Sequence, residues 1–112
     1  MTSSLDSTIE KHLEKVGTDS ESQDYAFRLV IESYVLYYSR QYKKNDDSAR
    51  KALSEILFSL RTVKDKIPKF SNLSIGQFLK EVNKRLEKLK SEYQSEEELE
   101  SATIAIKNFL SE

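Results

Sequence analysis

The fold is decided by residues 20–44, which read SESQDYAFRLVIESYVLYYSRQYKK. Apolar and aromatic residues occupy nearly every side of a helix drawn through this stretch, and a helix of that kind is buried on several sides. Only a narrow stripe is polar, formed by Arg28, Glu32, Ser39 and Lys43. Ser20 followed by Gln23 is a capping-box pattern. The sequence therefore predicts a central helix that begins after Ser20 and continues to about Lys44.

The composition favours helices in the rest of the chain. Two Gly and one Pro in 112 residues are too few for the reversals of a many-stranded sheet. A chain of this length forms one domain, here residues 1–112, around one core. We therefore expect an all-α fold, a compact bundle of four to five helices. The aromatic-rich helix lies at its centre, and the bundle includes an antiparallel helical hairpin.

The first and last helices are predicted from apolar periodicity and capping residues. The first runs from about Ser4 to Val16, with Gly17 as a C-terminal cap in the left-handed region. The last begins at Ser95, which forms a capping pattern with Glu98. Its apolar side carries Leu99, Ala102, Ala105, Ile106, Phe109 and Leu110.

The third and fourth helices have apolar seams with the same alternating spacing of four and three residues. The third helix follows the break at residues 45–48 and ends before Pro68, which restricts the residue preceding it. Its seam is Ala49, Leu53, Ile56, Leu60, Val63 and Ile67. The fourth begins at Ser74, in a capping box with Gln77, and its seam is Ile75, Leu79, Val82, Leu86, Leu89 and Tyr93. The match predicts that these two helices form the antiparallel hairpin. The leucines expected in the core are Leu36, Leu53, Leu60, Leu79 and Leu86.

Nothing in the sequence indicates secretion or membrane insertion. The absence of Cys fits a reducing compartment or a hot-adapted intracellular protein. Residues 1–6 have neither the basic nor the apolar region of a signal peptide. No apolar run approaches the roughly 20 residues of a membrane span. We expect a soluble intracellular, cytoplasmic protein.

No catalytic or metal-binding pattern is present. The one histidine, His12, lies beside the apolar side of the first helix without a nucleophile or clustered ligands. The carboxylates at residues 96–100 occupy a first helical turn, where negative charge is favourable. Gly76 alone cannot form a phosphate-binding loop. We expect a protein that is not an enzyme, with no cofactor, no metal and no evident small-molecule substrate.

The charges are distributed in blocks, although the net charge is −1. Residues 1–38 carry −4, residues 39–90 carry +8 and residues 91–112 carry −5. Opposite charges in one small chain point to association between these segments. Either the acidic terminal helices pack over the predicted hairpin within one molecule, or the acidic segment of one copy meets the basic segment of another.

Three apolar side chains are candidates for contact with a protein partner or for self-association. Phe58 projects away from the seam of the third helix, and Ile104 projects away from the apolar side of the last helix. Tyr42 lies between cations near the end of the central helix, where its ring could stack on a base or hold a guanidinium. The favoured hypothesis is a non-catalytic helical subunit or adaptor of a larger assembly.

The alternative is a helical subunit that contacts the nucleic-acid backbone, for example in a ribonucleoprotein complex. A positive surface follows phosphates without reading sequence, and an aromatic ring within it adds stacking. The cations that would contribute are Arg40, Lys43, Lys44, Lys51, Arg61, Lys80, Lys84 and Lys88. The lysines at 80, 84 and 88 also fit a solvated face opposite the fourth seam.

Overall fold

The structure, a computed structural model, describes residues 4–111 and has six α-helices in that range. They are α1 (Ser4–Leu13), α2 (Ser20–Lys44), α3 (Asp46–Lys66), α4 (Pro68–Ser71), α5 (Ile75–Glu92) and α6 (Glu97–Leu110). The described residues form no strand. The predicted all-α bundle is confirmed, with one short helix more than expected. Over the same range, no helix combines the length and apolarity that crossing a membrane requires.

Helix α2 is the central element, as predicted. It packs against α1, α3, α4, α5 and α6. Phe27, Val30, Ile31 and Val35 lie on it with no exposed surface, because neighbouring helices cover it on several sides. The sequence pattern of residues 20–44 therefore identified the organising helix correctly.

The start of α2 differs from the predicted capping box. Asp19, not Ser20, is the N-cap, and its side chain accepts a hydrogen bond from the Ser22 backbone N–H at 2.9 Å. Gln23 is buried and has a different role. Its amide donates to the carbonyl of Gly17 at 3.1 Å and accepts from the Lys69 backbone N–H at 2.9 Å. Gln23 thus connects the loop before α2 and the single-turn helix α4 to α2, a role that short-range spacing could not reveal.

Helix α1 is shorter than predicted and ends at Leu13. Gly17 does not adopt a left-handed conformation, so the prediction that it caps α1 in that region is wrong. Its backbone N–H donates to the Ser22 hydroxyl at 3.0 Å. Together with the bond from Gln23, this contact directs the chain into the first turn of α2. Gly17 therefore helps to fix the start of α2 and does not cap the end of α1.

The antiparallel hairpins join different helices from those predicted. Helices α2 and α3, connected through Asn45, form one, and α5 and α6 form the other; α3 and α5 are not among the closely packed pairs. The predicted pairing of the two seams is wrong because residues 68–71 are not a simple connection. They form α4, a single turn that packs on both α2 and α3.

Three phenylalanines explain how α4 is held in place. Phe70 on α4 is 2% exposed, and its ring centroid lies 4.6 Å from that of Phe27 and 5.5 Å from that of Phe78. Phe27 and Phe78 are 5.6 Å apart. Phe78 points into this cluster and is fully buried. Ile75 at the start of α5 is 45% exposed, so its predicted place in the apolar seam is wrong.

The predicted core leucines have three outcomes. Leu60 and Leu86 are buried, as expected, and Leu53 and Leu79 are partly buried. Leu36 is 43% exposed, so its assignment to the core is wrong. It lies on the side of α2 that faces the gap between α1 and α6, and neither helix covers it.

The predicted caps of the two C-terminal helices have opposite outcomes. The capping box of Ser74 and Gln77 at the start of α5 is confirmed, with both reciprocal hydrogen bonds present. The cap predicted from Ser95 and Glu98 is wrong. Helix α6 begins after Glu96, without a side-chain capping bond, and its acidic first turn complements the helix dipole instead.

Candidate interaction surfaces

The most exposed large apolar side chain of the described residues is Phe58, at 75%. It lies on the solvent side of α3, among residues that are all exposed. We call this surface the α3 outer face, and it consists of Lys51, Ser54, Glu55, Phe58, Arg61, Thr62 and Asp65. The outward direction predicted for Phe58 is confirmed.

The opposite side of α3 fixes the orientation of this face. Ile56, Leu60 and Val63 are completely buried against the core. The Tyr34 hydroxyl and the buried Ser59 hydroxyl form a hydrogen bond at 2.7 Å, which ties α3 to α2. Rotating α3 to bury Phe58 would break this bond and expose the seam, so the ring stays in solvent.

A second hydrogen bond links α2 to the edge of the α3 outer face. The Tyr37 hydroxyl donates to a carboxylate oxygen of Glu55. Burial, together with the bond to this carboxylate, raises the pKa of Tyr37 to about 12. The phenol therefore remains a proton donor at neutral pH, and Glu55 is held in place as its acceptor.

Tyr42 lines a groove between α2 and α6 and is 61% exposed, in agreement with its predicted accessibility. The groove has a volume of about 600 Å³, and its small residues are Ala102 and Ala105. The Tyr42 ring centroid lies 6.0 Å from that of Tyr38. From α6 the groove is lined by Ala102 and Ala105 and also by the polar side chains of Glu97, Glu98 and Ser101, so its α6 side is partly apolar and partly acidic.

Ile104 is 38% exposed on the outer side of α6, as the sequence predicted. The other side of α6 buries Ala102, Thr103, Ile106 and Leu110. Phe58, Tyr42 and Ile104 thus lie on three different helices, and the groove lined by Tyr42 includes neither of the other two. The structure does not unite the three predicted partner contacts in one patch.

The predicted nucleic-acid contacts lie in separate places. Arg40, Lys43 and Lys44 are at the C-terminal end of α2, with Lys51 shortly after the start of α3; Arg61 is farther along α3. The remaining three, Lys80, Lys84 and Lys88, project from α5 and are exposed.

Lys84 and Lys88 line a groove of about 530 Å³ beside Arg28, on the N-terminal half of α2. Arg28 and Lys43 are separated by about 22 Å along that helix. The cations predicted as one basic region therefore form distinct groups.

The arginines in the groove between α2 and α5 are already paired. Arg28 binds Glu32 at 2.7 Å and Glu92 at 2.9 Å. Arg85 binds Glu81 at 2.7 Å and lies 5.2 Å from the centroid of the Phe27 ring. The contacts of Arg28 with Glu92 and of Arg85 with Phe27 join α2 to α5, and the other two ion pairs lie within one helix. Both guanidinium groups in this groove are therefore already engaged.

The acidic and basic segments of the chain contact each other within one molecule. Lys43 binds Glu98 at 2.7 Å, and Asp24 binds Lys69 at 2.8 Å and Arg85 at 3.4 Å. Attraction between the segments thus acts within one molecule, although the hairpin over which the terminal helices were predicted to pack does not form and Asp24 lies on the central helix α2. Because these pairs are partly or largely exposed, each contributes little to stability.

His12 has a structural environment and is half-buried between α1 and α2. The Ser33 hydroxyl donates to the Leu29 carbonyl at 2.8 Å, so it accepts from His12 Nε2–H at 3.2 Å. His12 Nδ1 is buried and has no hydrogen-bond partner. Burial lowers the pKa of His12, Lys15 lowers it further and Glu32 opposes the shift. This arrangement favours the neutral ring, and the hydrogen bond to Ser33 ties α1 to α2.

Within residues 4–111, no group of three His, Asp or Glu side chains is placed to hold a metal ion. Comparison of the chain with protein-family models, curated proteins and solved structures finds no match. The function is therefore argued from the surfaces of this chain alone.

Two exposed residues that line grooves were not predicted from the sequence. Tyr25 is 62% exposed beside Lys84 and Lys88, and Leu36 lies beside Arg40 on α2. The pattern of residues 20–44 places both among the apolar residues of α2, which predicted that they would be buried. Both residues lie next to the polar stripe of α2, and this proximity was the one sequence signal that could have indicated their exposure.

Proposed function

We propose that this protein is a non-catalytic interaction subunit that binds a protein partner through the α3 outer face. One observation carries the proposal: Phe58 is 75% exposed on a helix whose orientation is fixed by a buried seam. Burying an exposed phenylalanine contributes about 1.5–3 kcal/mol. A partner gains this free energy without any rearrangement of the bundle.

The residues around Phe58 support contact with a helix or another flat surface. Ser54 and Thr62, four residues to either side, are short and allow a partner backbone to approach the ring. Charged side chains surround this centre. An apolar centre within a polar rim is the usual anatomy of a protein interface. Tyr42 and Ile104 provide secondary contact points on α2 and α6.

Site-specific photo-crosslinking in cells tests the proposal. A photoreactive phenylalanine analogue at position 58 should give a discrete covalent product, because the ring lies in the interface. The same analogue in place of Lys80, which is exposed on α5, is the matched control. The proposal is contradicted if the analogue gives no product at position 58, or if it gives the same products at positions 58 and 80.

A second candidate function, contact with nucleic-acid backbone, is favoured by the junction of α2 and α3. Arg40, Lys44 and Lys51 are exposed there and, among the described residues, form no ion pair. Tyr42 lies beside them as a stacking surface. Binding of this kind would be independent of base sequence and would weaken steeply with salt.

Titration with single- and double-stranded DNA and RNA at low salt tests this candidate. Charge reversal at Lys44 and Lys51 should weaken binding much more than reversal at Lys11 and Lys15, which lie in the acidic N-terminal block. No binding at tens of micromolar protein, or equal effects of the two pairs, would eliminate it.

A further inference from the structure

We propose that the α3 outer face binds a second copy of itself, with the two α3 helices antiparallel around a two-fold axis at Phe58. This inference rests on the proposed function and names its partner. In a two-fold dimer of this kind, a residue that lies a given number of positions before Phe58 in one copy is level with the residue that lies the same number of positions after Phe58 in the other copy. The α3 outer face can therefore be tested for self-complementarity residue by residue.

The central line of the face is complementary in this arrangement. Residues seven apart on a helix lie about 20° from one another around its axis, so Lys51, Phe58 and Asp65 form one line. The two-fold operation places Phe58 against its equivalent and Lys51 against Asp65 of the partner subunit. The two Lys51–Asp65 pairs, one at each end of the line, then each bring opposite charges together.

The flanking residues are compatible with this arrangement. Glu55 and Thr62 are seven residues apart and share one flank of the line, and Ser54 and Arg61 share the other. The operation therefore places Glu55 beside Thr62 of the partner subunit and Arg61 beside Ser54 of the partner subunit, so each charged side chain meets a short hydroxyl residue and no like charges are opposed. All of these side chains are exposed in the single chain.

Other arrangements of two α3 helices lose this match. A parallel pair in register places Lys51 against its equivalent and Asp65 against its equivalent, which juxtaposes like charges. An antiparallel pair shifted by seven residues sets Phe58 against a charged residue at position 51 or 65. Self-recognition therefore specifies both the direction and the register of the dimer.

The size of the face indicates a weak dimer. Seven residues contribute from each copy, compared with roughly 20–30 in a standard protein interface. We expect a dissociation constant on the order of 100 µM. The subunit would thus exchange between monomer and dimer as its local concentration changes.

Sedimentation equilibrium from about 10 µM to about 1 mM protein tests the charge pairing. Lys51→Glu alone and Asp65→Lys alone should each weaken the dimer about tenfold, because each reversal creates two repulsive contacts. An equimolar mixture of the two variants should recover association close to that of the unmodified chain, because every pair is again opposite in charge. Lys80→Glu, a charge reversal outside the face, should change nothing.

Cysteine crosslinking tests the register independently, because the chain has no Cys of its own. Ser54→Cys and Arg61→Cys should form a disulfide when the two variants are mixed. Neither should dimerise alone, because in this register equivalent positions lie about 9–12 Å apart along the helix axes, beyond disulfide reach. Disulfide formation by each variant alone, at the rate of the mixture, would overturn the antiparallel register.

The outcomes separate this inference from the proposed function. A monomer up to about 1 mM, or no recovery in the charge-reversal mixture, refutes the dimer. If the photo-crosslinked product at Phe58 then contains a different protein, the proposed function stands and only the identity of the partner is wrong. If position 58 gives no specific product, both are refuted.

Discussion

Replacing Phe70 with Ala tests whether the single-turn helix α4 anchors the bundle. The Phe70 ring is 2% exposed and contacts Phe27 and Phe78, and the Arg85 guanidinium lies 5.6 Å from its centroid. A buried Phe→Ala change costs about 3–5 kcal/mol. For a domain of this size that loss lowers Tm by about 12–20 °C.

Urea unfolding followed by far-ultraviolet circular dichroism measures the effect. Phe58→Ala is the matched control, because it removes the same atoms from a 75% exposed position. It should change the free energy of unfolding by no more than about 0.5 kcal/mol at low protein concentration, where any dimer dissociates. Phe70→Leu should fall between the two, because it keeps apolar volume but loses the ring contacts. A loss under about 1 kcal/mol for Phe70→Ala would refute the anchoring role of α4.

Three further predictions concern the core, a cap and the histidine. Leu60→Ala and Leu86→Ala should each cost about 2–5 kcal/mol in urea unfolding, and a smaller loss at both would show that the seams are misassigned. Ser74→Ala should cost about 0.5–2 kcal/mol, since it removes one half of the capping box; an unchanged urea midpoint would contradict this. Because folding lowers the pKa of His12 from 6.5, the folded state prefers the neutral ring. Its stability contribution is present above pH 6.5 and is lost as the pH falls through the folded pKa. Thermal unfolding at pH 7.5 and 5.5 should show this loss, and the His12→Gln variant should show less of it.

The local sequence pattern was sufficient to predict the structure wherever the deciding residues lie within a single helix. The stretch at residues 20–44 is apolar nearly all round, so any compact arrangement of the chain must surround it. Ser74 and Gln77 satisfy each other within one turn and need no distant partner. Phe58 is exposed because its own helix carries a stronger apolar seam on the opposite side. Each of these results depends on residues within a few turns of one helix.

Only the tertiary structure decided which helices pair. Two seams of equal spacing predicted that α3 and α5 form the hairpin, but spacing does not identify the partner of a seam. Gln23 and the cluster of Phe27, Phe70 and Phe78 join segments far apart in sequence, and these contacts place α4 on α2.

The environment of Leu36 depended on tertiary structure in the same way. The sequence determines that the residue is apolar, whereas its exposure follows from where α1 and α6 end. Helix formation is governed by local periodicity and capping. Burial is governed by which surfaces meet, and that depends on contacts across the whole chain.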